Sequence, residues 1–334
     1  MTDADPARAP GVPDGDALAA LIRAAGRRPT PSAEEYERVR LASHLAWQMK
    51  VHSARRRRIL WFAVAAGVAA AVVGALTWQT TPAPAVAEVA LLRGRVELLV
   101  PGTGGWKAPE AGVGLLAGTR LRTVGEGGAA FTIGDGISVR APGATSWTFD
   151  DATRLTLDAG TLYVDTGPGG PRVDAIEIAT PLGVVRDFGT QFEVRTVTGE
   201  LRVRVREGSV QLRTSRAGLA HAAPAGEELL LAADGAIARR PIAADAPEWE
   251  WAETLATPLE LGGGSAFDAL QWVARELGKR LVFEDASTEL LARNAIIHGD
   301  SAGLEPLQIL EVVMATSAVL EYTLGDGTLV IRRR

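Results

Sequence analysis

The chain has 334 residues, a formal net charge of −5 and no cysteine. Disulfides, thiolate metal sites and cysteine nucleophiles are therefore excluded, and stability has to come from a core that 47% apolar residues can supply. Charge is unevenly placed: residues 1–58 hold 11 Lys+Arg against 7 Asp+Glu, while the remainder is strongly acidic, which argues against nucleic acid as the partner of that larger part.

Residues 1–15 are rich in Ala, Pro, Asp and Gly, a composition that does not fold by itself. Asp16 is placed to cap a short helix with Leu18, Leu21, Ile22 and Ala25 on one stripe, and Gly26 ends it. Ser32-Ala33-Glu34-Glu35 reads as a capping box. The helix it opens places Val39, Ala42, Leu45, Ala46 and Met49 on one side. Two such helices bury too little to be a domain alone. They are suited either to a groove on a cytoplasmic partner or to an anionic lipid surface, since both use the same amphipathicity.

Residues 54–79 read ARRRRILWFAVAAGVAAAVVGALTWQ. No charge occurs over 59–77, which as a helix spans roughly 28 Å, the thickness of a bilayer's hydrocarbon. Trp61 and Trp78 sit near its two ends. Ala85-Val86-Ala87 resembles a signal-peptide cleavage site, but the long stretch before the apolar core favours a retained anchor. Lys50 and Arg55 to Arg58 precede the span, and the first basic residue after it is Arg93. The positive-inside rule then holds the N-terminus in the cytoplasm and exports the rest. The expected localisation is a bacterial inner membrane, single-pass, with the C-terminal mass in the periplasm.

A Thr/Pro/Ala linker, 78–87, leads into short alternating runs at 89–99, 129–133, 146–149, 154–157 and 161–165, separated by glycine-rich turns. These predict an all-β, solenoid- or sandwich-like domain over 88–244. Gly94-Arg95-Val96-Glu97-Leu98, Gly160-Thr161-Leu162-Tyr163-Val164 and Gly208-Ser209-Val210-Gln211-Leu212 form a weak repeat that suits short strands turning at each glycine. Leu201, Val203 and Val205 alternate with Arg202, Arg204 and Arg206, so one face is expected to be buried and the other wet. That wet face is either a solvated strand or a surface for an acidic partner.

Residues 245–334 form a further module. Trp249 and Trp251 mark the junction and are expected to pack there. A strand at 258–262, a helix from Ser265 to Gly278 and a strand at 280–284 are followed by the same order again: 295–299, a helix from Pro306, and strands at 319–324 and 328–332. The prediction is a βαβ-βαβ α+β module with two helices on one face of its sheet. Trp272 falls off the helix's apolar stripe and is either a core-edge residue or an interface anchor.

No catalytic motif emerges. His44 and His52 lie across the predicted membrane from His221 and His298. The adjacent pairs Asp150-Asp151 and Glu227-Glu228 point to opposite faces if extended, and no nucleophile elbow, HExxH or phosphate loop is present. Neither an enzyme nor a cofactor is expected.

Residues 179–195, ATPLGVVRDFGTQFEVR, carry the most specific signature. Thr180-Pro181, Gly183, Arg186, Gly189-Thr190, Phe192 and Val194, with Glu207-Gly208-x-Val210 downstream, resemble the FecR family of inner-membrane sigma-factor regulators. Residues 267–283, FDALQWVARELGKRLVF, look like the short N-terminal module of secretins and TonB-dependent receptors. The resemblance implies a transmembrane signal transducer, anti-sigma factor-like, with 1–58 as its cytoplasmic segment. Its partners would be an extracytoplasmic-function sigma factor inside and the signalling domain of a TonB-dependent outer-membrane receptor outside, in a setting such as regulation of iron transport. It implies no direct contact with nucleic acid. On helical-face grounds the sigma-factor contacts would be Leu18, Leu21, Ile22, Val39, Leu45 and Met49. The family's tryptophan-centred sigma-binding pattern is represented only by Trp47. The alternative from another class is an inner-membrane-anchored periplasmic scaffold or binding module of the cell envelope.

Overall fold

The computed structural model describes residues 15–26, 32–45 and 84–334, apart from 135, 168–174, 217, 260–261, 300, 302 and 318. The chain divides into two compact units, 1–82 and 83–334.

In the first unit α1 spans Gly15–Ala24 and α2 spans 33–45. Asp16 lies inside the first turn of α1, where its charge favours the helix N-terminus, rather than at the cap. The capping box of α2 forms as its sequence dictates: the Ser32 N–H donates to Glu35 Oε2 at 3.0 Å and the Glu35 N–H donates to Ser32 Oγ at 3.3 Å. The predicted membrane span, 59–77, lies outside the described residues. Among the described residues no helix is long and apolar enough to cross a membrane.

The second unit opens with fourteen strands in one continuous sheet folded on itself. They are β1 Ala87–Leu99, β2 Gly114–Leu115, β3 Thr119–Ile133, β4 Ile137–Pro142, β5 Ser146–Phe149, β6 Arg154–Asp165, β7 Glu177–Ala179, β8 Gly183–Asp187, β9 Gln191–Val197, β10 Glu200–Glu207, β11 Ser209–Thr214, β12 Ala220–Pro224, β13 Glu227–Ala232 and β14 Ile237–Pro241. All pairs are antiparallel except β6 with β7. The runs at 154–157 and 161–165 are one bent strand, β6, not two. Its first half pairs with β5 and β7, and its second half with β4 and β9. Gly160, with φ 96°, makes the bend. The repeat glycines are thus corners: Gly94 and Gly160 bend β1 and β6, and Gly208 parts β10 from β11. The result is two layers that share their bent strands, a sandwich rather than a solenoid.

One continuous core fills the space between the layers, with Phe131, Trp147 and Phe149 in mutual edge-to-face contact and Phe192, Val194, Leu201, Val203 and Val205 among its members.

A single 3₁₀ turn, Pro247–Trp249, and α3, Glu250–Glu253, lead to the last module. Here α4 is Ala266–Glu276, β15 Arg280–Phe283, α5 Ala286–Asn294, α6 Pro306–Thr316, β16 Leu320–Gly325 and β17 Thr328–Arg333. The sheet has three strands in the order β15-β17-β16, with β15 parallel and β16 antiparallel to β17. Helices α4, α5 and α6 pack with Leu281, Phe283, Leu320, Leu329 and Ile331 into a second core. The predicted βαβ-βαβ order is corrected in two places. The strand expected at 295–299 is reduced to one bridge between Ile296 and Ser265, and no strand forms at 258–262 among the described residues. Gly262, Gly263 and Gly264 interrupt any ladder there. Helix α5 was missed because it buries only Thr288 and Ala292 and so shows little apolar periodicity. Its signal is the cap, where Asp285 Oδ1 accepts the Thr288 N–H at 2.7 Å. In α6, Leu307 faces out and Ile309 takes the core position.

Candidate functional site: exposed N-terminal helices and a charged junction between the outer modules

Two regions carry functional potential, one in each unit. In the first, Leu18, Leu21, Ile22, Val39 and Leu45 are all exposed, Leu21 and Val39 at 69% of their surface. Tyr36 and Leu41 add to this surface. Met49 and Trp47 lie outside the described residues. Isolated exposed leucines are ordinary, but here they form apolar rows along helices of 10 and 13 residues.

The signature residues of the β domain are architectural. The Thr180 hydroxyl donates to the Gly183 carbonyl at 2.7 Å and accepts the Gly183 N–H at 3.1 Å, closing the turn that carries Pro181. Asp187 is buried. Its carboxylate accepts the N–H groups of Ile176 at 2.6 Å and Gly189 at 3.1 Å, and the Thr190 hydroxyl at 3.4 Å. Burial raises its pKa against the pull of those hydrogen bonds. Phe192 and Val194 are core. Gly208, with φ 75°, brings its backbone so close to Gly189 that a Cβ there would lie 2.4 Å from the Gly189 carbonyl oxygen. Arg186 is exposed, 4.0 Å from Glu177, and Glu207 meets Arg275 in an ion pair. These residues hold corners, core positions and two charge pairs.

The expectation of a wet arginine face on β10 is wrong. The register of the outer layer sets Arg140, Tyr163, Glu193, Arg204, Glu228 and Arg240 in one row across β4, β6, β9, β10, β13 and β14. Trp249, Trp251, Ala252 and Glu276 cover the Arg140, Tyr163 and Glu193 end of this row, while Arg240 at the other end is exposed. Arg140, 1% exposed, makes two 2.7 Å bonds to the Glu276 carboxylate of α4 and a 2.8 Å bond to the Ala252 carbonyl. Arg206 donates to the Ala244 carbonyl at 2.5 Å, the Glu276 carbonyl at 2.7 Å and Glu253 Oε1 at 2.8 Å. Its guanidinium also lies 5.4 Å from the Trp249 ring centre. Arg275 of α4 reaches back to Asp165 at 2.6 Å. Lys279 bonds Asp245 at 2.9 Å, and Asp245 also accepts the Gly327 N–H at 2.7 Å. Arg202 and Arg204 pair with Glu193 and Glu228 within the sheet.

The junction tryptophans pack as expected. Trp249 is fully buried edge-on to Tyr163, and the Trp251 indole donates to Glu193 Oε2 at 3.1 Å. Trp272 is a half-buried edge residue of the second core.

Helix α4 meets this junction through its end. The Lys279 N–H bonds the Ala274 carbonyl at 2.7 Å and the Gly278 N–H bonds the Arg275 carbonyl at 3.1 Å, a Schellman ending. Gly278 has φ 61°, and a Cβ on it would sit 1.9 Å from the Ala244 carbonyl oxygen. Glycine is required there both by the backbone and by the approach.

Electrostatics at the junction run in both directions. Burial opposes ionisation of Asp165, but the Arg275 guanidinium, with the Gln191 amide and the Arg140 charge, outweighs it and holds the carboxyl below its ordinary range. At Glu253 burial wins over Arg206 and the pKa rises. Burial likewise raises the Tyr163 phenol. Sequence reasoning missed Arg140, Glu276, Asp165 and Arg275. Arg140 lies on β4, outside the predicted runs, and Arg275 and Glu276 lie on helix α4, so no local pattern joined them to Asp165 at the end of the run 161–165.

The adjacent carboxylates are each held locally: Asp150 by Thr156, Asp151 by Thr153, Glu227 by Arg239 and Glu228 by Arg204. Among the described residues no group of three or more His, Asp or Glu side chains could hold a metal ion.

Residues 119–211 match the family model described as FecR protein. No curated protein matches the chain. Among solved structures the chain is similar to two crystal structures, at 2.50 and 1.65 Å resolution, of a candidate anti-sigma factor from Parabacteroides distasonis ATCC 8503. Each is 13% identical, covers 64% of this chain and has a TM-score of 0.35; 98% and 99% of the two relatives are covered.

Proposed function

We propose that the protein is a transmembrane signal transducer that regulates an extracytoplasmic-function sigma factor. Helices α1 and α2 make the cytoplasmic contact, residues 59–77 cross the inner membrane once, and 88–334 lie in the periplasm. The observation that carries this reading is the pairing of a FecR-type β domain with short N-terminal helices whose apolar rows are left exposed. An exposed row of this kind is what a helix-in-groove contact uses.

The junction supports the same reading. Strand β1 begins at Ala87, the last residue of the predicted linker, and the C-terminal module is fixed to the β domain by buried, bidentate and charge-assisted bonds. A partner that engages the C-terminal module, here the signalling domain of a TonB-dependent receptor such as one for iron chelates, therefore moves a single body joined to the span. No step of this function needs catalysis.

The test is a sigma-dependent reporter in cells carrying the full chain. Leu21→Asp with Val39→Asp removes apolar contact without touching the outer modules, and regulation is expected to disappear while protein level and membrane fraction stay unchanged. Normal regulation by that double variant would refute the reading.

A further inference from the structure

A groove of about 570 Å3 opens at the end of the β sandwich, away from the junction residues. Three hairpin turns meet there, β7–β8, β11–β12 and β13–β14. Leu182, Leu219, Leu231 and Ile237 give it an apolar lining, with His221 and Thr214 as polar points. The walls are tied together in advance. The Ser215 N–H donates to the Leu182 carbonyl at 2.9 Å, the Thr214 N–H to the Leu219 carbonyl at 2.9 Å, and Arg216 Nη1 to the Ala233 carbonyl at 3.0 Å. These bonds hold the three turns against one another, so the hollow is preformed. A preformed, mainly apolar hollow of this size is what a small molecule occupies.

Two observations point to what would fill it. Leu219 leaves 58% of its surface exposed over the groove. Thr214 is buried, and its hydroxyl has no hydrogen-bond partner. An unpaired buried hydroxyl is unfavourable, and one rotamer step exchanges it with the methyl group. The rim carries both signs: Arg216 keeps donors beyond the one bound to Ala233, and the Asp234 carboxylate is turned to the Ala236 N–H of its own hairpin at 2.9 Å.

We propose that this groove binds a small amphiphilic acid, with its apolar body on the four aliphatic side chains and its head hydrogen-bonded by Thr214, His221 and Arg216. The proposal is independent of the sigma-factor reading.

Because the chain has no cysteine, Ala233→Cys provides one labelling position for a solvatochromic dye on the rim of the groove. The full chain in lipid nanodiscs is titrated with decanoate below its micelle concentration. A saturable, one-site change is expected. Leu219→Glu, at an exposed position, should weaken it at least tenfold. Thr214→Val should weaken it about threefold to tenfold without lowering the unfolding temperature, since only a hydrogen bond to the ligand is removed. A linear response, or binding that both variants retain, overturns the site; equal affinity for decanol overturns the acid head.

Discussion

The two sides of the outer β layer share a backbone and are held by opposite chemistry. On the inner side Leu201, Val203 and Val205 of β10 join an apolar core in which any side chain of suitable volume and shape gains from leaving water. On the outer side Arg206 and Arg140 are just as buried, but their placement depends on individual partners brought by another module. Apolar burial tolerates approximation. A buried charge does not, because desolvation is large and only close, well-oriented partners offset it. The β sandwich is therefore stable through its bulk, while docking of the C-terminal module is specific through its pairs.

The sharpest way to break that contrast is Glu276→Ala. It leaves Arg140 buried without its carboxylate and should cost about 3–5 kcal/mol. Denaturant unfolding of the wild type and variant measures it. The double change Arg140→Met with Glu276→Leu should recover most of that loss, because the penalty belongs to the unpaired charge. If the double variant is as unstable as Glu276→Ala, the junction is not governed by pairing. Phe131→Ala in the inner core should cost about 3–5 kcal/mol by cavity formation, with no rescue from any charge change.

A smaller effect tests the approach of the two modules. Gly278→Ala meets both a left-handed backbone and the Ala244 carbonyl, whereas Gly102→Ala meets a left-handed backbone, φ 77°, in open space. The backbone alone accounts for about 1–2 kcal/mol at each. The excess at Gly278, read from paired unfolding curves, is the part due to module contact, and equal losses would mean the approach is not tight.

The smallest expected effect is on pH dependence. The folded-state pKa of Asp165 is lowered from 3.8, so its contribution is present above that value and is lost as pH falls through the folded pKa. Glu253 runs the other way: its pKa is raised from 4.5, so its contribution is complete below that value and fades as pH rises through the folded pKa. Asp165→Asn should flatten the acid limb of a stability–pH profile and Glu253→Gln the limb above pH 4.5. An unchanged acid limb in Asp165→Asn would exclude Asp165 as its source.

Much of this architecture was legible in local pattern. Period-two alternation placed β1, β5 and β10, Ser32 and Glu35 announced the start of α2, and Ser265 and Gly278 bracketed α4. The glycine-led repeat was visible too, but whether each glycine turns a strand back or bends it through a corner depends on which strands pair on either side. Helix α5 escaped because a helix that buries one threonine and one alanine leaves almost no apolar period.

What the chain determined by itself is the set of elements whose signals lie within a few residues: strand alternation, helix caps and the amphipathic rows of α1 and α2. Only the tertiary structure decided that Arg206 is buried rather than wet, that Arg140 meets Glu276 across 136 positions, and that three hairpin ends enclose one groove. The physical reason is range. Alternation reports that two faces differ, but the energy of a charged face depends on what covers it, and the covering residues here lie far along the chain.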